Sequence, residues 1–323
     1  MKSFEYARPA SLDEAFALLS ENWGETEIMA GGTDLVTAMK QYVTEPNRVV
    51  SLRGVAPLRA INATDAAIEI GAMATLREVL RHDAVKAQFP AVVTAIQGIA
   101  SPQMLSRGTI GGELCQRPRC WYFRTGHGLF AKENGEALVP AGDSRYHAIF
   151  GNQGEAHFVS PSSLGPVLVA LGATLRIQKG ADSRDVPADA FFQTPATEKD
   201  RETVLKPNEI LTAIVLPVSG AKNATYEVRH RHGLDWPYTT ASVSFVLDGG
   251  KAKNVRIALG HVAPTPWVAK EAQAALEGQE VTEATAAAAG AAAVAGATPF
   301  DKNGYKLQLV KTAVKRALLA ATA

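Results

Sequence analysis

A chain of 323 residues with 46% hydrophobic and 20% charged side chains is long enough for about two domains and can bury a sizeable core. A net charge of +1 argues against nucleic acid or an anionic membrane as the main partner. The longest apolar runs fall well short of the ~20 residues of a membrane span, "MKSFEYARPASLDEA" has no signal-type apolar core, and two cysteines make no disulfide framework, so a soluble, cytoplasmic chain with reduced thiols is expected.

The first fifty residues predict a small unit of mixed strands and helices. "KSFEYARP" alternates like an edge strand, and "SLDEAFALLSEN" reads as a helix with Ser11 as its N-cap. "TEIMAGGTDLVTAMK" is a short strand, a double glycine and a helix, and "RVVSLRGV" is the next strand. Further on, "AIEIGAMATLREVL" predicts a strand, a tight turn at Gly71 and a helix. "AVVTAIQGIASPQMLSRGTIGGEL" predicts a helix, a loop and a second glycine pair. The stretch 115–158 is long, irregular and rich in Gly, Pro and charge, which marks it as an insertion or a functional loop. "SPSSLGPVLVALGATLRIQ" returns to helix and strand, and "NEILTAIVLPV" is a strand ending at Pro217. Residues 218–223 look like a linker. "TYEVRHR", "TTASVSFVLD" and "VRIALGHVA" then predict an antiparallel sheet. "WVAKEAQAALEG", the alanine-rich 283–297 and "NGYKLQLVKTAVKRALLAA" predict helices. The basic run 228–236 reads first as a solvated strand and turn, with an anion site or part of a subunit interface as alternatives, and "HVAPTPW" at 261–267 reads as a rigid turn.

The glycine pairs carry the chemistry. Gly31-Gly32 follows a strand and precedes a helix, where backbone can approach a ligand closely and helix-terminal amides can face an anion such as a pyrophosphate. Thr33 can add a hydroxyl; Asp34 would repel phosphate and is expected to cap the helix. A strand–Gly-Gly–helix turn is often only a turn, but "RGTIGGEL" at 107–114 supplies a second pair, and two such surfaces can grip one extended dinucleotide. Neither has the G-x-G-x-x-G spacing of a Rossmann loop.

Together, "AGGTDL", "TIGGEL", "NEILTAIVLP", "RIALGHVAPTPW" and "NGYKLQLVKTAVKRAL" resemble the flavin-binding medium subunits of the molybdenum hydroxylases, the xanthine dehydrogenase, carbon monoxide dehydrogenase and aldehyde oxidoreductase group. The resemblance covers essentially the whole chain. It implies an α+β fold: a two-lobed FAD-binding domain (PCMH-like) followed by a C-terminal α+β domain with antiparallel sheet and helices. The lobes would be 1–55 and 56–217, the latter with the insertion at about 115–158, and the C-terminal domain 224–323. It implies FAD held by Ile28, Met29, Ala30, Gly31, Gly32, Thr33, Asp34 and Leu35 in a first loop, and by Ile99, Ala100, Gly108, Thr109, Gly112 and Glu113 in a second. Leu211 would lie near the flavin ring, although plain core is an equally good reading of it. Two departures stand out: Ser163 occupies a position that is Asp in many members, and Glu227 stands where a lysine facing an NAD-binding flavin surface is common.

In some members the insertion carries a [4Fe-4S] cluster on four cysteines, and "RPRCWYF" resembles its start, with Cys120 at a ligand position. No cysteine follows residue 120, and Cys115 with Cys120 cannot ligate a cubane alone. A zinc site completed by two of His127, His147 and His157 is conceivable, as is a disulfide. The leading expectation is a loop without metal, with Cys120 packed among Trp121, Tyr122 and Phe123. The resemblance implies an FAD electron-transfer subunit working with a [2Fe-2S] small subunit and a molybdopterin-binding large subunit, periplasmic if co-exported with a partner. The alternatives are a scaffold subunit without working flavin, and a free-standing FAD oxidase of the vanillyl-alcohol class.

Overall fold

The first fifty residues close into a three-stranded parallel sheet. The computed structural model describes residues 1–99, 101–231 and 235–323; Ala100 and 232–234 of the basic run lie outside the described residues. Strands β1 (Glu5–Ala7), β2 (Thr26–Met29) and β3 (Arg48–Ser51) run in the order β1-β3-β2. The helix Leu12–Leu18 starts where Ser11 Oγ accepts the Glu14 N–H at 3.2 Å, and it buries Ala15 against Val50, Leu52 and Val55.

A second, antiparallel sheet follows. Its first strands are β4 (Ile61–Ala63) and β5 (Ala67–Gly71). A short hairpin, β6 (Lys132–Glu133) and β7 (Glu136–Ala137), belongs to the insertion, and the sheet resumes with β8 (Thr174–Lys179), β9 (Asp182–Pro187) and β10 (Ile210–Pro217) in the order β4-β5-β10-β8-β9. Its core joins Ile68, Ile70, Leu175 and Ile214 to Val92 and Ile96 of the helix Pro90–Gly98. The helix Leu164–Leu171 is buried from Leu164 to Ala170, as its unbroken apolar sequence requires. Where a loop was expected before the second glycine pair, a helix forms at Pro102–Arg107, capped by Ser101, and the pair itself sits in a short helix, Ile110–Leu114.

The third sheet, β11 (Lys222–Val228), β12 (Thr239–Asp248), β13 (Lys251–Gly260) and β14 (Trp267–Val268), is antiparallel in sequence order; β11 begins inside the expected linker. The helices Lys270–Leu276, Glu283–Ala292 and Lys306–Thr322 share its core. The alanine-rich segment lets two helices pack closely: a Cβ on Gly290 would lie 2.5 Å from the Lys311 carbonyl.

The 115–158 insertion is not structureless. Phe123, Leu129, Phe130, Ala156 and Phe158 form a small core of their own, with Cys120 against it. Its later part belongs to the third sheet's layer: Ile149 and Phe150 are fully buried there, and both donate N–H to the Val262 carbonyl, at 2.8 and 3.0 Å. Lys306, on the C-terminal helix, is fully buried and donates to the carbonyls of Tyr146 (3.1 Å), His147 (3.0 Å) and His261 (2.9 Å). Burial pulls this ammonium down to about 7.

Candidate functional site

The two glycine pairs meet backbone to backbone. A Cβ on Gly31 would lie 2.1 Å from the Arg107 carbonyl oxygen and 3.1 Å from Gly108 Cα, so only glycine allows this approach. Across the same seam, a Cβ on Gly112 would lie 3.4 Å from that of Ala30. The loops wall a cavity of about 410 Å³, within the ~300–1,000 Å³ of small-molecule sites. Ile28, Ala30, Gly31, Gly32, Thr33, Asp34 and Leu35 line it from one side and Ile99, Gly108, Thr109, Gly112 and Glu113 from the other, with Leu211 contributed by β10. Met29 is not among the lining residues; its sulfur packs behind Gly32, 3.3 Å from where a Cβ would stand. Ala100 lies outside the described residues.

The amides of the two loops differ. Among the described residues, none of the N–H groups of Ala30, Gly31, Gly32, Thr33, Asp34 and Leu35 makes a protein hydrogen bond. Gly32 has φ +78°, a conformation that glycine adopts without strain. Such a row of donors suits an anion. In the second loop, by contrast, Ile110 and Gly111 donate to Ala74 and Ala72, and Gly112 donates to Thr109 Oγ1 at 3.1 Å.

Charges are arranged around this row. Asp34 stands at the N-cap position but makes no capping bond, contrary to the sequence expectation. Its carboxylate instead takes the Arg117 N–H (2.9 Å), Arg124 (2.9 Å) and Arg119 (3.1 Å), so its charge is neutralised beside the free amides. Arg119 also lies over the Trp236 ring at 4.8 Å. Arg117 pairs with Glu202, and Arg201 with Glu27 at 2.6 Å. Burial raises Glu27 to about 7 against the pull of Arg117.

Glu113 is fully enclosed; its carboxyl accepts from Ser162 Oγ (2.6 Å) and the Ser163 N–H (2.8 Å), and burial raises it to about 7 despite these bonds. A carboxylate thus stands at the start of the helix Leu164–Leu171, at Ser163, but it comes from Glu113. Similarly, the cation that β11 brings to the cavity is Arg229, which lines it and is ion-paired with Glu227.

The residues fit FAD: free amides for the pyrophosphate, two close glycine walls, and apolar Ile99 and Leu211 for a ring. Residues 2–219 match the family model described as FAD binding domain in molybdopterin dehydrogenase, and residues 224–321 match the CO dehydrogenase flavoprotein C-terminal domain. The chain belongs to the FAD-binding medium subunits of the molybdenum hydroxylases. It is 30% identical to the carbon monoxide dehydrogenase medium chain of Hydrogenophaga pseudoflava, over 99% of this chain and 97% of that one. It is also 30% identical to the aldehyde oxidoreductase FAD-binding subunit PaoB of Escherichia coli K12, over 100% and 99%. A solved carbon monoxide dehydrogenase from Hydrogenophaga pseudoflava that lacks the Mo-pyranopterin moiety of the molybdenum cofactor superimposes with TM-score 0.77 at 29% identity, covering 99% of this chain and 98% of that chain. Like these relatives, the chain is an oxidoreductase subunit with FAD as its cofactor. The match over 224–321 sets it apart from the vanillyl-alcohol oxidase alternative.

The insertion holds both cysteines of the chain. Cys115 and Cys120 are free thiols. Cys115 opens onto the cavity but is surrounded by protein elsewhere; that enclosure, then the Glu113 charge, push its thiol up to about 12. Cys120 Sγ lies 3.1 Å from His147 Nε2; burial raises the thiol and lowers the imidazole to about 4, so the pair is neutral. Among the described residues, no group of three or more His, Cys, Asp or Glu side chains is placed to hold a metal ion, and no helix is long and apolar enough to cross a membrane. Sequence reasoning missed Glu27, Arg117, Arg119, Arg201 and Glu202 as cavity residues, while the anion-site alternative for 228–236 touched Arg229 and Trp236. For the others only the arginine-rich "RPRCWYFR" offered a signal, and its partner Asp34 is more than eighty residues away.

Proposed function

We propose that this chain is the electron-transfer subunit of a multi-subunit molybdenum hydroxylase. In this reading it receives electrons from iron–sulfur centres on a [2Fe-2S] small subunit, supplied by a molybdopterin-binding large subunit, and passes them to an external acceptor. The relatives named above as medium chain and FAD-binding subunit support the division of labour. When bound, FAD supplies reversible redox chemistry that no side chain has.

The chain's own part is to bind and orient. The residues assigned to the cofactor are Ile28 and Ala30 to Leu35 in the first loop, Ile99, Gly108, Thr109, Gly112 and Glu113 in the second, and Leu211. The amides of the first loop hold the pyrophosphate; the second loop closes the space around it; the arginines on Asp34 remove a repulsive charge. The observation that carries the assignment is the row of amides from Ala30 to Leu35 on the cavity wall, without a protein partner among the described residues.

Gly32→Val tests it. A branched side chain in the φ +78° position strains the loop. The expected outcome is a folded protein whose flavin-to-protein ratio after gel filtration falls to a small fraction of wild type. Full flavin content in this variant would refute the assignment. Co-purification of an iron–sulfur and a molybdopterin subunit tests the wider reading.

A further inference from the structure

Arg229, just past the end of β11, has space on two sides. One is the flavin cavity. The other is a separate cleft of about 400 Å³. The insertion supplies Arg145 and Tyr146 to it; the third sheet's layer supplies Val228 and Tyr238; the C-terminal helix and its cap supply Leu309 and Tyr305.

Its walls are aromatic. Tyr146 and Tyr238 lie parallel, with centroids 5.5 Å apart and planes 4° apart. Tyr305 meets Tyr238 edge-on at 5.7 Å, and Trp121 meets Tyr146 edge-on at 5.3 Å. Tyr146 and Tyr305 each leave 41% of their surface exposed. The Tyr305 hydroxyl donates to the Arg145 carbonyl at 2.7 Å, which fixes that ring. The two guanidiniums are already paired, Arg145 with Asp143 and Arg229 with Glu227, and among the described residues no carboxylate lines the cleft.

Tyr146 already stacks on Tyr238 and carries the Arg145 guanidinium at 5.7 Å, so the exposed surface left on these rings is what can stack on a flat, conjugated ring, while the remaining guanidinium N–H groups can donate to a carbonyl oxygen. A nicotinamide or a quinone offers that ring. The nicotinamide dinucleotide also brings a pyrophosphate, which needs a row of free donors or unpaired cations, and the cleft's two cations are both neutralised. We propose that this cleft binds the ring of a quinone-class acceptor, one side chain away from the flavin cavity. The assignment rests on the reading that the chain passes electrons from its flavin to an external acceptor.

Menadione titrated into the flavin-loaded chain, purified in its complex, tests it by equilibrium dialysis and by quenching of aromatic emission. The expected result is saturable binding at one site. Tyr146→Ala and Tyr305→Ala should each weaken it by about tenfold, the effect of removing one stacked ring, and Tyr146→Phe should restore it. The flavin-to-protein ratio should be unchanged in all three variants. Absence of saturable binding in the wild type, or binding unaffected by both alanine changes, would overturn the proposal. So would NAD⁺ displacing menadione more effectively than a second quinone does. Flavin content is read separately: a chain without flavin overturns the electron-transfer reading, while dialysis still decides the cleft.

Discussion

Around Gly31 and Gly32, six consecutive residues line a cavity, and none of their N–H groups has a protein partner among the described residues. Around Gly111 and Gly112, the amides are engaged with Ala72, Ala74 and Thr109, and the glycines serve close packing: a Cβ on Gly111 would lie 2.7 Å from that of Ala72. Both are Gly-Gly followed within two residues by an acid, and both start or occupy a helix. What separates them is where the hydrogen bonds go. A double glycine predicts an anion site only when its own N–H groups are left without protein acceptors.

The largest effect that can break this comparison is Gly31→Ala. The new Cβ would press on the Arg107 carbonyl and drive the loops apart. Flavin affinity should fall at least about a hundredfold, the equivalent of one or two charge-assisted hydrogen bonds to a phosphate. Fluorescence titration of the apo-protein with FAD reads this directly, and near-normal affinity would mean that the seam between the loops does not shape the site. Gly111→Ala sharpens the contrast. It overpacks against Ala72 and should cost about 1–3 kcal/mol of stability, seen as a lower Tm, while flavin affinity changes little. If it loses flavin as fully as Gly31→Ala does, the two pairs are not distinct in function.

Glu113 gives a third, pH-dependent test. Its carboxyl is raised from 4.5 to about 7 in the fold. A raised acid contributes stability that is fully present below its unfolded value and is lost as pH rises through about 7. Thermal stability should therefore decline across this range. Glu113→Gln, which keeps an acceptor for the Ser163 N–H, should flatten the decline by an amount on the order of 1–3 kcal/mol. An identical pH profile in the variant would assign the slope elsewhere, Glu27 being the next candidate. The smallest effect is expected at Cys120. Cys120→Ala removes a half-buried thiol and its contact with His147. It should cost about 1–2 kcal/mol and leave flavin and iron content as they were. Iron near about four per molecule, lost in this variant, would reinstate a cluster in the insertion.

Much of this was legible in the sequence. The strands that alternate or run apolar formed as read, and so did the helix after Ser11, whose cap is a local signal; the helix capped by Ser101 was read as loop. The first glycine loop was also legible, since strand, Gly-Gly and helix lie within a few residues; the second pair lies inside a short helix that follows a helix read as loop. What could not be read was anything set by chain crossing. Asp34 looks like a helix cap locally; only the fold brings Arg117, Arg119 and Arg124 to it. The insertion looked irregular because its apolar residues obey no helical or strand period. They converge from Phe123, Phe130 and Phe158, and the two residues Ile149 and Phe150 join a different core. Met29 was read as one of the cofactor-binding residues, but it ends β2, is not among the lining residues, and packs its sulfur against Gly32.

Lys306 bears on how far the insertion can be treated as a transferable module. Two of the three carbonyls that receive its ammonium come from Tyr146 and His147, within the insertion, and no carboxylate is among its partners. A chimera in which residues 115–158 are replaced by a short loop would leave the Lys306 amine with the His261 carbonyl alone among these partners, on top of the loss of Ile149 and Phe150 from that core. Exchanging position 306 with it, for a side chain such as Leu or Met, would remove that part of the cost. Two stretches of sequence almost 150 residues apart thus have to be inherited, or engineered, together.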